Sequence, residues 1–425
     1  MKARELIEKL EKGALGKYGV IYPELELETK RYISALESFS NLYGEDRDVR
    51  LFSVSGRSEI LGNHTDHSHG CVMAGAVDRD IIAVAATNDD KKARVKSEGY
   101  DECVINLSDI DDKDAQPKFS SASLISGLFA GMRNKGAKIG GFDAYMTTRV
   151  LKGSGLSSSA AFEVMIGNII NYLYNEGTVK NEEIAKVSQF AENEYFGKPC
   201  GLMDQMACAV GGFVFIDFEN PTEPIIEPID FAISDYGYSM CVINTGGNHA
   251  NLNDDYASVP AEMKSVAHYF GKDVLRGITL SDLIGNMSVL RESVGDRAVL
   301  RALHFVGENE RVIHTSDAIK HGDMKEFLNG VKASGDSSFK YLQNVYTTVN
   351  VREQGLSLAL AVTDSILSGK ECAWRVHGGG FAGTIQVFIK NEYVDEYTKI
   401  MDSIFGDGAC MRLNIRPFGA CEILL

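Results

Sequence analysis

Short apolar stretches separated by glycine-rich or polar turns predict a chain that mixes strands with helices. Residues 51–55 alternate apolar with polar side chains, and residues 71–86 are mostly Val, Ile and Ala, which is typical of buried strands. Further strands are predicted at residues 142–146, 212–218, 239–245, 373–376 and 384–389. Helical spacing of apolar residues predicts helices within residues 1–45, 123–132, 160–172, 182–196 and 254–270, and several more between residues 280 and 368.

The boundaries of these elements carry two more specific predictions. Asn181 precedes the helix at residues 182–196 and is predicted to cap it. Prolines 221, 224 and 228 lie close together and indicate a domain boundary or a hairpin turn near residues 220–238. A chain of 425 residues is long for a single core, so we predict two domains, residues 1–235 and 236–425.

Composition and charge exclude several classes of protein. The formal net charge of -16 argues against binding to nucleic acid or to anionic membranes. The eight cysteines are scattered without zinc-site spacing, which favours a reduced, cytoplasmic setting. The charged, amphipathic residues at the beginning of the chain do not resemble a signal peptide, and no apolar run reaches transmembrane length.

The stretch Gly153-Ser154-Gly155-Leu156-Ser157-Ser158-Ser159-Ala160-Ala161 precedes a helix-periodic segment and is the first candidate site. Small residues allow a ligand to approach the backbone, and a helix start offers unpaired N–H groups with a positive dipole end. This combination favours a phosphate cradle. The alternative is a serine-capped helix after a flexible turn.

Polar residues are concentrated between the first two predicted strands, in a predicted loop at residues 56–70. Three histidines and Asp66 in this loop suggest, as an alternative, a zinc or other divalent-metal site. Those histidines are His64, His67 and His69. Asp204, surrounded by apolar residues, is a candidate general base or anchor for a hydroxyl. The alternative is a buried Asp that caps neighbouring backbone groups. Glu192 lies near a predicted helix end, where a cation would offset its unfavourable interaction with the helix dipole.

The common nucleotide-binding motifs are absent from the sequence. No Gly-x-x-x-x-Gly-Lys-Ser/Thr occurs, which excludes the P-loop proteins, and protein-kinase signatures are missing. Four stretches instead resemble motifs of the GHMP small-molecule kinases, and of galactokinases most closely. Residues 56–66 resemble Gly-Arg-x-Asn-x-Ile-Gly-Glu-His-Thr-Asp, and residues 153–161 resemble the phosphate motif. Residues 199–205 resemble Pro-Cys-Gly-Ile-Met-Asp-Gln, and residues 377–383 resemble Gly-Gly-Gly-Phe-Gly-Gly.

The resemblance implies an α+β, two-domain GHMP-kinase fold with the active site in the interdomain cleft. It also implies an ATP- and Mg²⁺-dependent kinase that phosphorylates the anomeric hydroxyl of galactose. We further expect a cytoplasmic monomer. The catalytic residues are then Asp204 and Arg57. The implied sugar contacts are Asn63, His64, Asp66, Gly201, Tyr256, Gly378 and Gly379. The implied ATP contacts are Lys152, Gly153, Ser154, Gly155, Leu156, Ser157, Ser158, Ser159 and Ala160, and the metal ligands are Glu192 with Ser158 or Ser159.

Three positions depart from the galactokinase signature, and they bear on the identity of the sugar. Asn63 replaces a Glu that contacts the C6 hydroxyl in galactokinases, Glu59 replaces an Asn, and His67 replaces a Tyr. Because Asn lacks the negative charge, galacturonate or another galacto-configured sugar is an alternative substrate. A non-catalytic sensor of sugar and ATP is the alternative from another functional class.

Overall fold

The computed structural model describes residues 1–150, 155–198, 200–247 and 252–425. Within these residues, two β-sheets of eight and four strands are surrounded by helices. The strands are β1 (Arg50–Leu61), β2 (Cys71–Thr87), β3 (Lys92–Ser97), β4 (Cys103–Asn106), β5 (Phe142–Thr148), β6 (Phe213–Asp217), β7 (Ile225–Ile229), β8 (Tyr238–Asn244), β9 (Ala373–His377), β10 (Thr384–Lys390), β11 (Cys410–Leu413) and β12 (Cys421–Ile423).

The helices flank both sheets. They are α1 (Ala3–Glu11), α2 (Leu25–Tyr43), α3 (Ser121–Asn134), α4 (Ser158–Tyr174), α5 (Asn181–Phe190), α6 (Met203–Val210), α7 (Asn253–Tyr269), α8 (Leu280–Gly285), α9 (Met287–Ser293), α10 (Asp296–Lys320), α11 (Met324–Ser337), α12 (Gly355–Leu367) and α13 (Asn391–Phe405). Short 3₁₀ turns lie at Ala14–Tyr18, Asp66–Ser68 and Ile233–Tyr236, and π turns at Ala191–Phe196 and Ser338–Leu342. No helix in the described part of the chain is long and apolar enough to cross a membrane.

The first sheet has the strand order β12-β1-β2-β5-β3-β4, and β6 and β7 are attached to it through β2. Its pairings are antiparallel except between β3 and β5. The second sheet has the order β11-β8-β10-β9 and is antiparallel. Strand β12 comes from the end of the chain and pairs with β1, with Ile423 opposite Leu51. The second half of the chain thus completes the first sheet, and the domain division after residue 235 stays a prediction.

Strand β2 is buried on both faces, which explains its nearly continuous apolar sequence. Ile82 and Val84 belong to the apolar cluster formed with α1 and α2. Ala83 and Ala85 alternate with them and belong to the larger cluster, which includes residues of α3 to α6. The helices that carry the phosphate motif and Asp204 are therefore held against one face of the first sheet.

Two sequence predictions differ from the structure. Strand β1 extends to Leu61, through residues that were predicted to form a loop, because its polar side chains are buried against partners from distant parts of the chain. Asn181 does not cap α5: the cap position is Lys180, and the Asn181 amide donates to the carbonyl of Ala209 at 2.8 Å.

Candidate active site

Arg57 on β1 and Asp204 on the first turn of α6 form a two-point ion pair. Arg57 Nε donates to Asp204 Oδ1 and Nη2 donates to Oδ2, each at 2.7 Å. Ser157 also donates a hydrogen bond to Asp204 Oδ2. Parallel N–H bonds of this kind fix the orientation of a carboxylate as well as its charge. The two residues predicted to be catalytic are therefore in direct contact.

The described part of the phosphate motif packs against β1. The Leu156 carbonyl accepts a hydrogen bond from the Arg57 amide at 3.0 Å, and the Gly155 carbonyl accepts one from Arg57 Nη1 at 2.5 Å. A Cβ on Gly56 would lie 2.8 Å from the Leu156 carbonyl oxygen, so only glycine fits there. Helix α4 begins at Ser158, and Ala160 is buried in the core. Lys152, Gly153 and Ser154 lie outside the described residues.

A cavity of about 130 Å³ lies beside the ion pair. Residues predicted to contact the sugar and residues predicted to bind the metal both line it. Its lining includes Asp66, Ser159, Glu192, Lys198, Gly201 and Asp204. A Cβ on Gly201 would lie 2.6 Å from Asp66 Oδ2, so a larger residue at this position would displace that carboxylate. Of the two candidate metal-binding hydroxyls, Ser159 is the one that lines this cavity.

The pKa values of Asp204 and Asp66, two carboxyl groups in the lining of the cavity, are shifted in opposite directions. Burial alone would raise the pKa of Asp204, but the charge of Arg57 and the hydrogen bonds from Arg57 and Ser157 outweigh it and lower that pKa. Burial raises the pKa of Asp66 above its ordinary value, although the charge of His64 opposes this. Asp204 is therefore an ionised hydrogen-bond acceptor at neutral pH.

Glu192 is buried in the π turn that follows α5, and its two carboxylate oxygens have different partners. Lys198 Nζ lies 3.3 Å from Oε1, and the Gln205 amide donates to Oε2 at 2.9 Å. Gln205 also donates to Glu163 Oε2 at 3.1 Å, and Glu163 Oε1 has no hydrogen-bond partner among the described residues. The Glu192 carboxylate and the Ser159 hydroxyl both line the cavity, and oxygen ligands of this kind suit Mg²⁺.

The histidine-rich alternative for a metal is not supported. Among the described residues, no group of three or more His, Cys, Asp or Glu side chains could hold a metal ion. His64 instead bonds to the triglycine turn (residues 378–380).

The triglycine turn is held by three side chains that the sequence resemblance assigns to the sugar. Each donates a hydrogen bond to a successive carbonyl of the turn. The contacts are Asn63 Nδ2 to Gly378 at 2.7 Å, His64 Nε2 to Gly379 at 2.9 Å and Tyr256 Oη to Gly380 at 2.7 Å. The first two donors follow β1 and the third lies on α7, so these bonds join the two halves of the chain at the site.

Asn63 is fully buried, and its amide is used by the protein. Besides its bond to the turn, Nδ2 donates to Glu59 Oε1 at 2.9 Å, and Oδ1 accepts from Asn344 Nδ2 at 2.7 Å. Glu59 in turn forms a buried ion pair with Arg375 at 2.9 Å. Both amide hydrogens of Asn63 are therefore already donated to protein acceptors.

Sequence reasoning missed four residues that complete the site: Glu163, Lys198, Gln205 and Asn344. The spacing of Glu163 from Ser159 could have identified it as a site residue, because it lies one helical turn later and shares the same face of α4. Asn344 had no such signal, since it lies outside every recognised motif.

Comparison with known proteins identifies the family. Residues 123–212 match the GHMP kinases N terminal domain, and residues 37–87 match the galactokinase galactose-binding signature. A galactokinase of Streptomyces coelicolor is 31% identical over 374 residues, which cover 87% of this chain and 92% of the relative. A galactokinase of Actinobacillus pleuropneumoniae serotype 3 is 29% identical over 371 residues, covering 86% of this chain and 92% of the relative.

Solved structures agree on the fold. The Lactococcus lactis galactokinase complexed with galactose superimposes with a TM-score of 0.77 at 22% identity, covering 92% of this chain and 100% of that chain. A mevalonate kinase structure gives a TM-score of 0.60 at 13% identity, covering 86% and 98%. The predicted α+β, two-domain GHMP-kinase fold is therefore confirmed. From the identity and coverage of its relatives, the chain belongs to the galactokinase family and is a sugar kinase.

Proposed function

We propose that this protein transfers the γ-phosphoryl group of ATP to the anomeric hydroxyl of galactose, forming galactose 1-phosphate. The observation that carries the proposal is the Arg57–Asp204 pair, with both hydrogen bonds at 2.7 Å, beside the start of α4. Phosphoryl transfer depends mainly on positioning and on neutralising charge. A fixed carboxylate next to a fixed guanidinium supplies both.

The two residues have complementary roles. Asp204 accepts the hydrogen of the sugar hydroxyl and directs the oxygen toward the phosphorus. Because its pKa is lowered, Asp204 acts mainly by orienting the hydroxyl and only weakly as a base. Arg57 holds Asp204 in place and offsets the charge of the transferring phosphoryl group.

ATP phosphates would be held by residues 152–160, where the backbone N–H groups at the start of α4 favour an anion. Glu192 and Ser159 would hold Mg²⁺, which neutralises charge on the phosphates when bound. Support comes from their presence, together with Asp204, in the lining of one cavity. On the sugar side, Asp66, His64, Tyr256, Gly201 and the triglycine turn are the proposed contacts.

The occupied amide of Asn63 favours galactose over galacturonate. A carboxylate at C6 needs hydrogen-bond donors, and both Asn63 N–H groups are already donated, to Glu59 and Gly378. The Glu59 carboxylate is also only 2.9 Å from Asn63 Nδ2. A second carboxylate brought into this region would be repelled.

A coupled assay of ADP release over a panel of sugars tests the proposal. The panel contains galactose, galacturonate, glucose and galacto-configured sugars altered at C6, each with ATP and Mg²⁺. We expect the highest kcat/KM for galactose, and phosphorus NMR should show an anomeric phosphate. Absence of turnover on every galacto-configured sugar would contradict the proposal, and substrate binding without turnover would favour the sensor.

A further inference from the structure

Behind the cavity, a single amide joins two buried carboxylates. Gln205 Nε2 donates to Glu192 Oε2 at 2.9 Å and to Glu163 Oε2 at 3.1 Å. The exposed fractions are 0% for Glu163, 3% for Glu192 and 1% for Gln205. The three residues come from α4, the π turn at Ala191–Phe196 and α6, so one side chain connects three elements of the site.

Burying the carboxyl group of Glu163 at this position costs free energy of folding. No ion pair to Glu163 is found among the described residues, whereas Lys198 contacts the neighbouring Glu192. Its Oε1 has no hydrogen-bond partner there either. An apolar residue would pack into the surrounding core without this cost, since Ala160 and Val164 beside it on α4 are both buried. Packing therefore does not explain why a carboxyl group is present at this position.

The position of Glu163 relative to Ser159 and Gln205 indicates a role in the active site. It lies one turn after Ser159 on α4, and its only hydrogen-bond partner that we find is the residue that follows Asp204 in sequence. An amide group has two N–H donors on one atom. When Glu163 accepts one of them, the plane of the Gln205 amide is fixed and the other N–H points to Glu192.

We propose that Glu163 is a positioning residue for the kinase reaction, which fixes the Gln205 amide so that Glu192 is held ready for the metal of the nucleotide. The proposal rests on the role proposed above for Glu192. Glu163 acts through Gln205 and does not itself contact the metal. Its task requires a hydrogen-bond acceptor, and it does not require a negative charge.

That distinction makes the proposal testable with two substitutions at one position. Glu163→Gln keeps an acceptor oxygen without the charge, whereas Glu163→Leu keeps only the approximate volume. If Glu163 positions Gln205, the Gln variant retains function and the Leu variant loses it. If Glu163 were a direct ligand through its free Oε1, both variants would lose it, because a neutral amide is a much weaker cation ligand than a carboxylate.

The experiment measures binding of Mn²⁺ to the full chain in the presence of ADP, by electron paramagnetic resonance, with metal-free ADP binding as the reference. For Glu163→Leu we expect an affinity for Mn²⁺ reduced by about 10- to 100-fold, as is typical when a partner of a metal ligand is removed. Gln205→Leu should match it, the double variant should add little, and Glu163→Gln should stay close to the unchanged protein.

Three results would overturn the inference or its basis. An unchanged Mn²⁺ affinity in both Leu variants would show that the bridge does not support the metal site. An equal loss in Glu163→Gln and Glu163→Leu would make Glu163 a ligand. An unchanged affinity in Glu192→Gln would instead refute the role proposed for Glu192. Circular dichroism confirms folding for each variant, and Gln205→Leu tests the bridge if Glu163→Leu does not fold.

Discussion

The Asn63 amide donates to Glu59 Oε1 at 2.9 Å, and the two residues stand in the reverse order of the galactokinase signature, which has Asn first and Glu second. The amide–carboxylate hydrogen bond can therefore be formed with the negative charge at either position. In this chain the charge lies at residue 59, where Arg375 pairs with it.

This exchange predicts coupling between the two positions. Asn63→Glu alone brings two buried carboxylates into contact and should destabilise the fold by about 3 kcal/mol, the scale of a broken buried ion pair. The double variant Glu59→Asn/Asn63→Glu restores an amide–carboxylate bond in the opposite sense. Urea unfolding of both single variants and the double variant should give a favourable coupling of about 1 to 3 kcal/mol. Strictly additive losses would contradict the pairing.

From the Arg57–Asp204 ion pair we expect that substitution of Asp204 lowers the rate of turnover much more than the affinity for the substrates. Asp204→Asn keeps the shape of the side chain but weakens its hold on the sugar hydroxyl, and kcat should fall by about 10²- to 10⁴-fold. Calorimetric affinities for ATP and galactose should change only a few-fold. Asp273→Asn, at an exposed position, is the matched control and should leave both unchanged. Full activity in Asp204→Asn would contradict the role of Asp204.

Within the triglycine turn, Gly378 and Gly380 are expected to differ in how well they tolerate substitution by alanine. Gly378 and Gly380 both have positive φ, +69° and +81°, so alanine strains the backbone at either position. A Cβ on Gly378 would meet nothing within 4 Å, whereas on Gly380 it would lie 2.0 Å from the Asn344 carbonyl oxygen. Gly380→Ala should therefore lower the melting temperature and raise the sugar KM much more than Gly378→Ala. Equal effects would show that the strain alone matters.

Buried His377 predicts a loss of stability in mild acid. Burial, followed by the charges of Arg57 and Arg375, lowers its pKa to about 3, although Asp204 opposes this. The unfolded chain binds a proton at this residue below about pH 6.5 and the folded chain does not, so stability falls as the pH drops from about 6.5 to about 3. By pH 5 this one group costs about 2 kcal/mol.

Urea unfolding at pH 7 and pH 5 measures this effect. His377→Gln cannot bind the proton and should lose about 2 kcal/mol less than the unchanged protein between these two pH values. His304, whose pKa burial lowers to about 4, contributes the same acid loss to both proteins and so cancels in the comparison. Identical losses in the two proteins would contradict the assignment to His377.

Elements that depend on residues close together in sequence could be predicted, whereas elements that depend on contacts with distant residues could not. The strands at residues 213–217, 238–244 and 384–390 follow from short apolar runs, and the structure confirms them. Strand β1 was predicted too short because Ser58 and Glu59 look like loop residues. They are buried only because His377 and Arg375, far along the chain, bond to them.

The same distinction applies to the residues of the site: some lie in recognisable motifs, and others are brought to the site only by the packing of helices. Arg57 and Asp204 lie in dense motifs, and the structure brings them into contact. The bridge from Gln205 to Glu163 depends on how α4 and α6 pack, which no local pattern encodes. The departure at Asn63 is visible in the sequence, whereas only the folded structure shows that both of its amide hydrogens are donated to Glu59 and Gly378.

The return of β12 to the first sheet has a consequence for dissecting this protein. Arg416, just before that strand, is fully buried and bonds to Ser53 at 2.7 Å and to Asp80 at 3.2 Å. A fragment that ends near residue 235 would expose the edge of β1 and leave the buried Asp80 without this cation. We therefore expect that a fragment of residues 1–235 does not fold on its own and that the intact chain unfolds in a single cooperative transition.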